Sequence, residues 1–168
     1  HIPESWSPHG EHLLFGVITG SKRSVMTVSP ADKKIAPFLD NGSFSTFSPD
    51  GRWVAYRHDE GPSSPLIVQP FPPTGAKYQV WANGSHARWA RNGKELFANT
   101  GPPYRFEVVT VTNQPTIAFG RPVPAPFGEG NQTGTGPLIR NFDIMPDDQH
   151  FLMLVQPGGW YAEPQIEV

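Results

Sequence analysis

The sequence has 168 residues, a net charge near -2 and no cysteine. This length suits a single compact domain, and the absence of cysteine excludes disulfides, thiolate nucleophiles and Cys-ligated metals. No cluster of Lys and Arg of the kind that phosphate recognition needs is present, so we expect no nucleic-acid partner. No apolar run is long enough to cross a bilayer, so we expect no membrane insertion. The 20 Pro and 17 Gly residues fall between apolar runs, which favours turn-rich β structure.

One motif, a large apolar residue, a tight turn and an apolar run, occurs four times along the chain. Its copies are WSPHGEHLLFG from Trp6, FSPDGRWVAYR from Phe47, WARNGKELFAN from Trp89 and IMPDDQHFLML from Ile144. The first three copies are about 42 residues apart, and the Gly-rich stretch 128–136 lengthens the last interval. A period of this size with several strands per unit is typical of a β-propeller blade.

Each repeat predicts the same order of elements. A strand ends at the large apolar residue, and a type I turn such as Ser48-Pro49-Asp50-Gly51 follows it. The second strands are predicted at 13–15, 53–56, 96–98 and 151–155. Third strands are predicted at 25–28, 66–68, 106–111 and 165–168, and fourth strands at 35–39, 78–81 and 122–126, with none left for the last unit.

These elements predict an all-β fold, a single β-propeller domain of about four four-stranded blades with the last one incomplete. The blades are expected at approximately 1–41, 42–84, 85–127 and 128–168. A blade cannot bury both of its faces alone, which leaves three alternatives. The four units close as a small ring, a homodimer completes a larger ring, or the segment belongs to a longer protein.

The repeats resemble the TolB-type, WD-like β-propeller repeat, in which an aromatic residue and Ser-Pro-Asp-Gly precede an apolar strand. Residues 45–98 are similar to the carboxy-terminal propeller of bacterial TolB-like proteins, also found behind the kinase domain of some bacterial serine/threonine protein kinases. His9, Ala90-Arg91-Asn92 and Asp148 depart from the repeat pattern.

The resemblance implies a non-catalytic sensor, scaffold or binding module of a larger bacterial protein, periplasmic or otherwise outside the cytoplasm. We expect no cofactor. A similar propeller precedes the hydrolase domain of prolyl oligopeptidase-like peptidases. The sequence contains neither a kinase catalytic loop nor a nucleophile elbow, and no catalytic residue is predicted. The alternative is a small enzyme, a hydrolase or a metal-dependent oxidase, that uses polar residues of the channel or of the blade-top loops.

The first strand of each blade lines the central channel of a propeller, so polar residues near its end are the candidate ligand-binding residues. They are Glu4, Thr46, His86, Arg88, Arg140 and Asp143. Converging side chains of both signs are suited to a small polar ligand, a peptide or part of a protein. The competing interpretation is that they form structural ion pairs and hydrogen bonds.

Six histidines are present without the spacing of a zinc site, so we expect no metal. His1 is the one candidate, because a terminal amine and an imidazole together can bind copper beside a second histidine. The simpler interpretation of His1 is a boundary of the chain.

Overall fold

A computed structural model describes residues 1–59, 64–100, 105–113, 116–126, 142–155 and 165–167. Within these ranges the regular secondary structure is entirely β, and a helix that could span a bilayer is not among it. The strands are β1 Ile2–Trp6, β2 Leu13–Thr19, β3 Lys22–Ser29, β4 Lys34–Asp40, β5 Gly42–Phe47, β6 Trp53–His58, β7 Leu66–Pro70, β8 Tyr78–Trp81, β9 Ser85–Trp89, β10 Glu95–Asn99, β11 Phe106–Thr112, β12 Ala118–Phe119, β13 Val123–Pro124, β14 Phe142–Ile144, β15 Phe151–Val155 and β16 Gln165–Glu167.

The strands form four antiparallel sheets in chain order, which confirms the all-β fold class predicted from the repeats. The first sheet has the order β1-β2-β3-β4, the second β5-β6-β7-β8, and the last described one β14-β15-β16. In the third sheet, β9, β10 and β11 pair in order, and two short strands, β12 and β13, share the outer edge of β11. One strand was predicted there at 122–126. Pro122 and Pro124 lack the N–H that a continuous ladder requires, which accounts for the division.

The same turn closes the first hairpin of every sheet. The N–H of Gly51 donates to the carbonyl of Ser48 at 2.9 Å, and Gly10, Gly93 and Asp148 make the equivalent bond. All four residues have a left-handed φ, from +58° to +73°. This conformation explains the glycine of the motif, because side chains other than Gly and Asn or Asp rarely adopt it. The departures from the repeat therefore leave the turn intact.

Apolar clusters lie between consecutive sheets. The first joins Leu14 and Leu39 of the first sheet to Phe47 of the second. The next cluster joins the second sheet to Trp89 of the third, and another joins the third sheet to Ile144 of the fourth. The large residue that ends each first strand is here called the anchor, and in the second, third and fourth sheets it packs against the preceding sheet. Each fully buried Leu, Val or Phe side chain contributes roughly 1.5–3 kcal/mol.

The first strands of consecutive sheets lie side by side, since β1 contacts β5 and β5 contacts β9. A β-bulge interrupts the pairing of each of these strands with its neighbour: between Pro3 and Ser5, between Ser43 and Thr46, and opposite the step from Phe97 to Asn99. Bulges redirect side chains locally. The bulges of the first three sheets are therefore brought to one place.

Candidate functional site

A cavity of about 340 Å³ lies where the bulged first strands meet the β2–β3 hairpin. Its walls combine apolar, aromatic and charged groups. They comprise Ile2, Pro3, Glu4, Gly16, Val17, Ile18, Arg23, Ser24, Gly42, Ser43, Phe44, Ser45, His86 and Ala87. This volume is at the lower end of the range for small-molecule sites in proteins.

Two aromatic rings in this cavity come from residues with an unusual backbone. Phe44 has φ +57° and His86 has φ +52°, and both lie inside strands. Each stands seven residues before the turn glycine of its own sheet, Gly51 or Gly93, so the two occupy the same repeat position. Their ring centroids are 4.0 Å apart with an interplanar angle of 33°. The two bulges thus produce one stacked aromatic wall.

Glu4 joins the bulge of the first sheet to that of the second. Its Oε1 accepts a hydrogen bond from the N–H of Phe44 at 3.1 Å, and its Oε2 accepts one from the N–H of Ser45 at 2.7 Å. The hydroxyl of Ser45 donates to the same Oε2. Gly16 leaves room for this carboxylate, because a Cβ at Gly16 would lie 2.9 Å from Oε1.

Burial raises the pKa of Glu4 above its ordinary value of 4.5. The hydrogen bonds from Ser45 and Phe44 and the charge of Arg23 act in the opposite direction and offset only part of this effect. The desolvation of the carboxylate therefore outweighs the three donors that stabilise its charged form.

Arg23 supplies the positive charge of the cavity. Its guanidinium carbon is 5.9 Å from the centroid of the Phe44 ring. In the part of the chain that the structure describes, its guanidinium makes no hydrogen bond or ion pair. Arg23 also borders a second cavity of about 340 Å³, lined by Ser21, Lys22, Arg23, Asn41, Arg57 and Asp59. In that cavity Arg57 is paired with Asp59 at 2.9 Å.

The structure brings together two of the six predicted ligand-binding residues, Glu4 and His86, in the walls of the first cavity. Arg88 and Asp143 instead pair with each other through two contacts of 2.6 and 3.1 Å. Thr46 is buried, with 2% of its surface exposed, and does not border this cavity. Arg140 lies outside the described residues. Ligand binding by these residues stays a prediction.

The copper hypothesis for His1 also stays a prediction. The imidazole packs edge-on against Phe15, with 5.7 Å between the ring centroids. Among the described residues, no three His, Asp or Glu side chains are placed to share a metal ion.

Sequence reasoning missed Arg23, Phe44 and Gly16. The position of Phe44 had a signal, since it matches His86 in the repeat, and an alignment of the units residue by residue would have identified it. Arg23 and Gly16 had none, because Arg23 lies outside the motif and Gly16 aligns with larger residues, Arg57 and Asn99, in the next two repeats.

Comparison with known proteins identifies the architecture. No protein-family profile matches the sequence, and no curated protein matches it either. Among solved structures, TolB from Acinetobacter baumannii superposes with a TM-score of 0.66 at 15% identity, over 93% of this chain and 37% of that one. The chain has a TolB-like β-propeller fold.

Two further structures agree with this fold. Hydrazine synthase from Kuenenia stuttgartiensis gives a TM-score of 0.64 at 14% identity, over 97% of this chain and 57% of that one. The β-propeller domain of the trilobed protease from Pyrococcus furiosus gives 0.59 at 11% identity, over 99% and 52%. Identities this low show the fold alone, and the chain spans about half the length of these proteins. The four sheets are the blades of the propeller, and the link to protein kinases stays a prediction.

Proposed function

We propose that this propeller chain is a non-catalytic binding module that holds a small ligand or a peptide end in the cavity between its first three blades. The stacked pair of Phe44 and His86 carries the proposal. A left-handed φ in a bulky residue costs about 1–3 kcal/mol, and such strain concentrates at binding and catalytic sites. Both residues border the same cavity, whereas the other non-glycine residues with positive φ in the described ranges, Lys33, Asn41 and Asp148, lie in turns or bends.

The hydrogen bonds that Glu4 accepts favour a binding role for the cavity over a catalytic one. A carboxyl with a raised pKa in the same cavity as a histidine is typical of general acid or base chemistry, and Glu4 and His86 together favour a hydrolase as the second candidate. The oxygens of Glu4, however, accept three hydrogen bonds from Phe44 and Ser45. A carboxylate held in this way serves to align two blades, and its reaction with a substrate would require those bonds to break.

Nuclear magnetic resonance of ¹⁵N-labelled protein tests the binding site with three probes that share a phenyl ring: N-acetylphenylalanine, its amide, and phenethylammonium. We expect at least one probe to shift the amide signals of Gly42, Ser45 and Ala87, which border the cavity, and to leave that of Gly75 unchanged. The variant Phe44→Gly retains a residue that accepts the positive φ and removes the ring. It should bind at least tenfold more weakly.

Two results would contradict the proposed function. The first is that none of the three probes shifts the cavity amides at millimolar concentration. The second is hydrolysis of p-nitrophenyl acetate that is abolished by both Glu4→Gln and His86→Gln in folded protein, which would favour the hydrolase.

A further inference from the structure

We propose that the cavity selects a carboxylate attached to an apolar group: Arg23 binds the carboxylate, and the stacked rings of Phe44 and His86 bind the apolar group. The C-terminal end of a peptide with an apolar last residue has this chemistry, and so does a free N-acylated aromatic amino acid. This inference rests on the proposed function and specifies its ligand.

The balance of donors and acceptors in the cavity determines the sign of the ligand. Glu4 is the only carboxylate among the lining residues that the structure describes, and three donors from Phe44 and Ser45 already occupy its oxygens. The guanidinium of Arg23 offers five N–H donors and forms no hydrogen bond within the described chain. An incoming ligand therefore meets unused donors and occupied acceptors, which favours an anion.

The number of charges favours a carboxylate over a phosphate. A guanidinium binds a carboxylate through two parallel hydrogen bonds, and one carboxylate balances the charge of Arg23, the one Lys or Arg in the described part of the wall. A phosphate dianion would bring twice that charge into a cavity that already contains Glu4. The second cavity extends the positive side, since it adds Lys22 and Arg57 next to Arg23 and contains one carboxylate, Asp59. The carboxylate of the ligand thus belongs at the border between the two cavities.

The remaining wall determines what is attached to the carboxylate. Besides the charged groups it includes apolar side chains from the first blade and the aromatic pair, and Ile18 is 48% exposed. An apolar side chain of the ligand would cover this surface, and each buried CH₂ group contributes about 0.8 kcal/mol. An aromatic ring can also pack against Phe44 in the offset-stacked or edge-to-face geometry that such pairs prefer.

Calorimetric titration with matched ligands tests the inference. The probes are N-acetylphenylalanine and its amide, and the peptide Ser-Gly-Ser-Gly-Phe with a free or an amidated C-terminus. We expect each free acid to bind at least tenfold more tightly than its amide. If the free-acid peptide binds more tightly than N-acetylphenylalanine, the ligand is a peptide end. Equal affinities indicate that the terminal residue is sufficient. Both of these results support the inference.

Arg23 variants provide the second arm. Arg23→Gln should abolish the difference between acid and amide and leave amide binding unchanged, and Arg23→Lys should retain part of the difference. Arg52→Gln is the control, because Arg52 is exposed, pairs with Asp50 and borders neither cavity. It should leave all affinities unchanged. The thermal unfolding midpoint of each variant establishes that it folds.

Three outcomes overturn the inference. If the amides bind as tightly as the acids and shift the cavity amides, the cavity is a binding site without carboxylate selectivity, and the proposed function stands. If inorganic phosphate displaces N-acetylphenylalanine at equal concentration, the site recognises anions in general. If the preference for the acid survives Arg23→Gln, another cation provides it.

Discussion

The carboxylate of Asp148, in the turn of the fourth blade, accepts a hydrogen bond of 2.6 Å from the backbone N–H of Arg91, in the turn of the third. Its second oxygen accepts one from Asn92 at 3.0 Å. Asp148 stands where the other repeats have glycine, and its φ of +58° is left-handed like theirs. The residue that departs most from the motif therefore links two consecutive turns.

Replacement of Asp148 tests how much this link contributes. Asp148→Ala removes both hydrogen bonds and leaves a residue that disfavours a left-handed φ, so we expect a loss of about 1–2 kcal/mol in the free energy of unfolding. Asp148→Gly also removes the bonds but relieves the backbone, so its loss should be smaller. Urea unfolding measures both. A glycine variant more stable than the parent would contradict this expectation, because the relief of the backbone would then exceed the contribution of the two hydrogen bonds.

The turns of the first two blades contact each other at the same repeat position. A Cβ at Gly51 would lie 3.2 Å from Cδ of Pro8, whereas one at Gly93 would meet no atom within 4 Å. Both glycines have a φ near +70°, so Gly93→Ala should lose about 1–2 kcal/mol from backbone strain alone. Gly51→Ala should lose more unfolding free energy, because its new methyl group would also crowd Pro8.

Pro8→Ala provides the control for that comparison, because it removes the crowded atom. In that background the costs of Gly51→Ala and Gly93→Ala should become equal in urea unfolding. If Gly51→Ala and Gly93→Ala already cost the same unfolding free energy in the parent protein, the turns of the first two blades are not in close contact in solution.

The features of the fold that were predictable follow local rules. The turns require a left-handed residue at one position, and the anchors require burial, so both recur at a fixed spacing and identify the blades. These rules depend on a few neighbouring residues, and they hold even at Asp148. The edge of the third blade followed no such rule, because β12 and β13 are too short to leave a pattern.

The site was less predictable for a physical reason. The six candidate residues do not share one repeat position. Thr46, Arg88 and Asp143 each stand five residues before the last residue of their turn, and Arg88 pairs with Asp143. Glu4 and His86 occupy two other positions. The bulges that direct Glu4 and His86 into the cavity have no sequence signal, because Phe44 and His86 adopt a conformation that normally selects glycine.

Gly16→Ala tests the contact between the β2–β3 hairpin and Glu4. The added methyl group would lie 2.9 Å from Oε1 of Glu4, so the carboxylate must move and give up its bond to Phe44. We expect a lower unfolding midpoint in the parent protein. In a Glu4→Ala background the same substitution should stabilise by about 0.5–1 kcal/mol, because alanine loses less backbone entropy than glycine. If Gly16→Ala changes the stability in the same direction with Glu4 and with Ala at position 4, the contact with Glu4 is not the cause.

The raised pKa of Glu4 predicts the direction of a pH dependence. The folded state binds the Glu4 proton more tightly than the unfolded chain, whose glutamate titrates near 4.5. The contribution of Glu4 to stability is therefore fully present below pH 4.5 and is lost as pH rises through the higher pKa of the folded state. Relative to Glu4→Gln, which does not titrate, the parent should lose stability over this interval.

Urea unfolding between pH 4 and 7.5 measures this difference, and a carbon-13 titration of the Glu4 carboxyl gives its pKa directly. Ser45→Ala removes a donor that lowers the pKa of Glu4, so it should move the interval to higher pH. A difference between parent and Glu4→Gln that is constant with pH, or that favours the parent more at neutral pH, would contradict the prediction.

The four anchors occupy one repeat position but differ in exposure, which predicts different costs of truncation. Phe47, Trp89 and Ile144 are 5–8% exposed, whereas Trp6 is 54% exposed. Trp89→Ala should lose roughly 3–5 kcal/mol, the usual cost of a large core truncation, while Trp6→Ala in a monomer should lose less than about 1 kcal/mol. If a second copy packs over Trp6, as in a ring completed by two chains, Trp6→Ala should instead have a large cost that depends on protein concentration. The substitution should then also dissociate the dimer and so halve the mass in solution. Urea unfolding at two protein concentrations, with light scattering on the same samples, separates the two states.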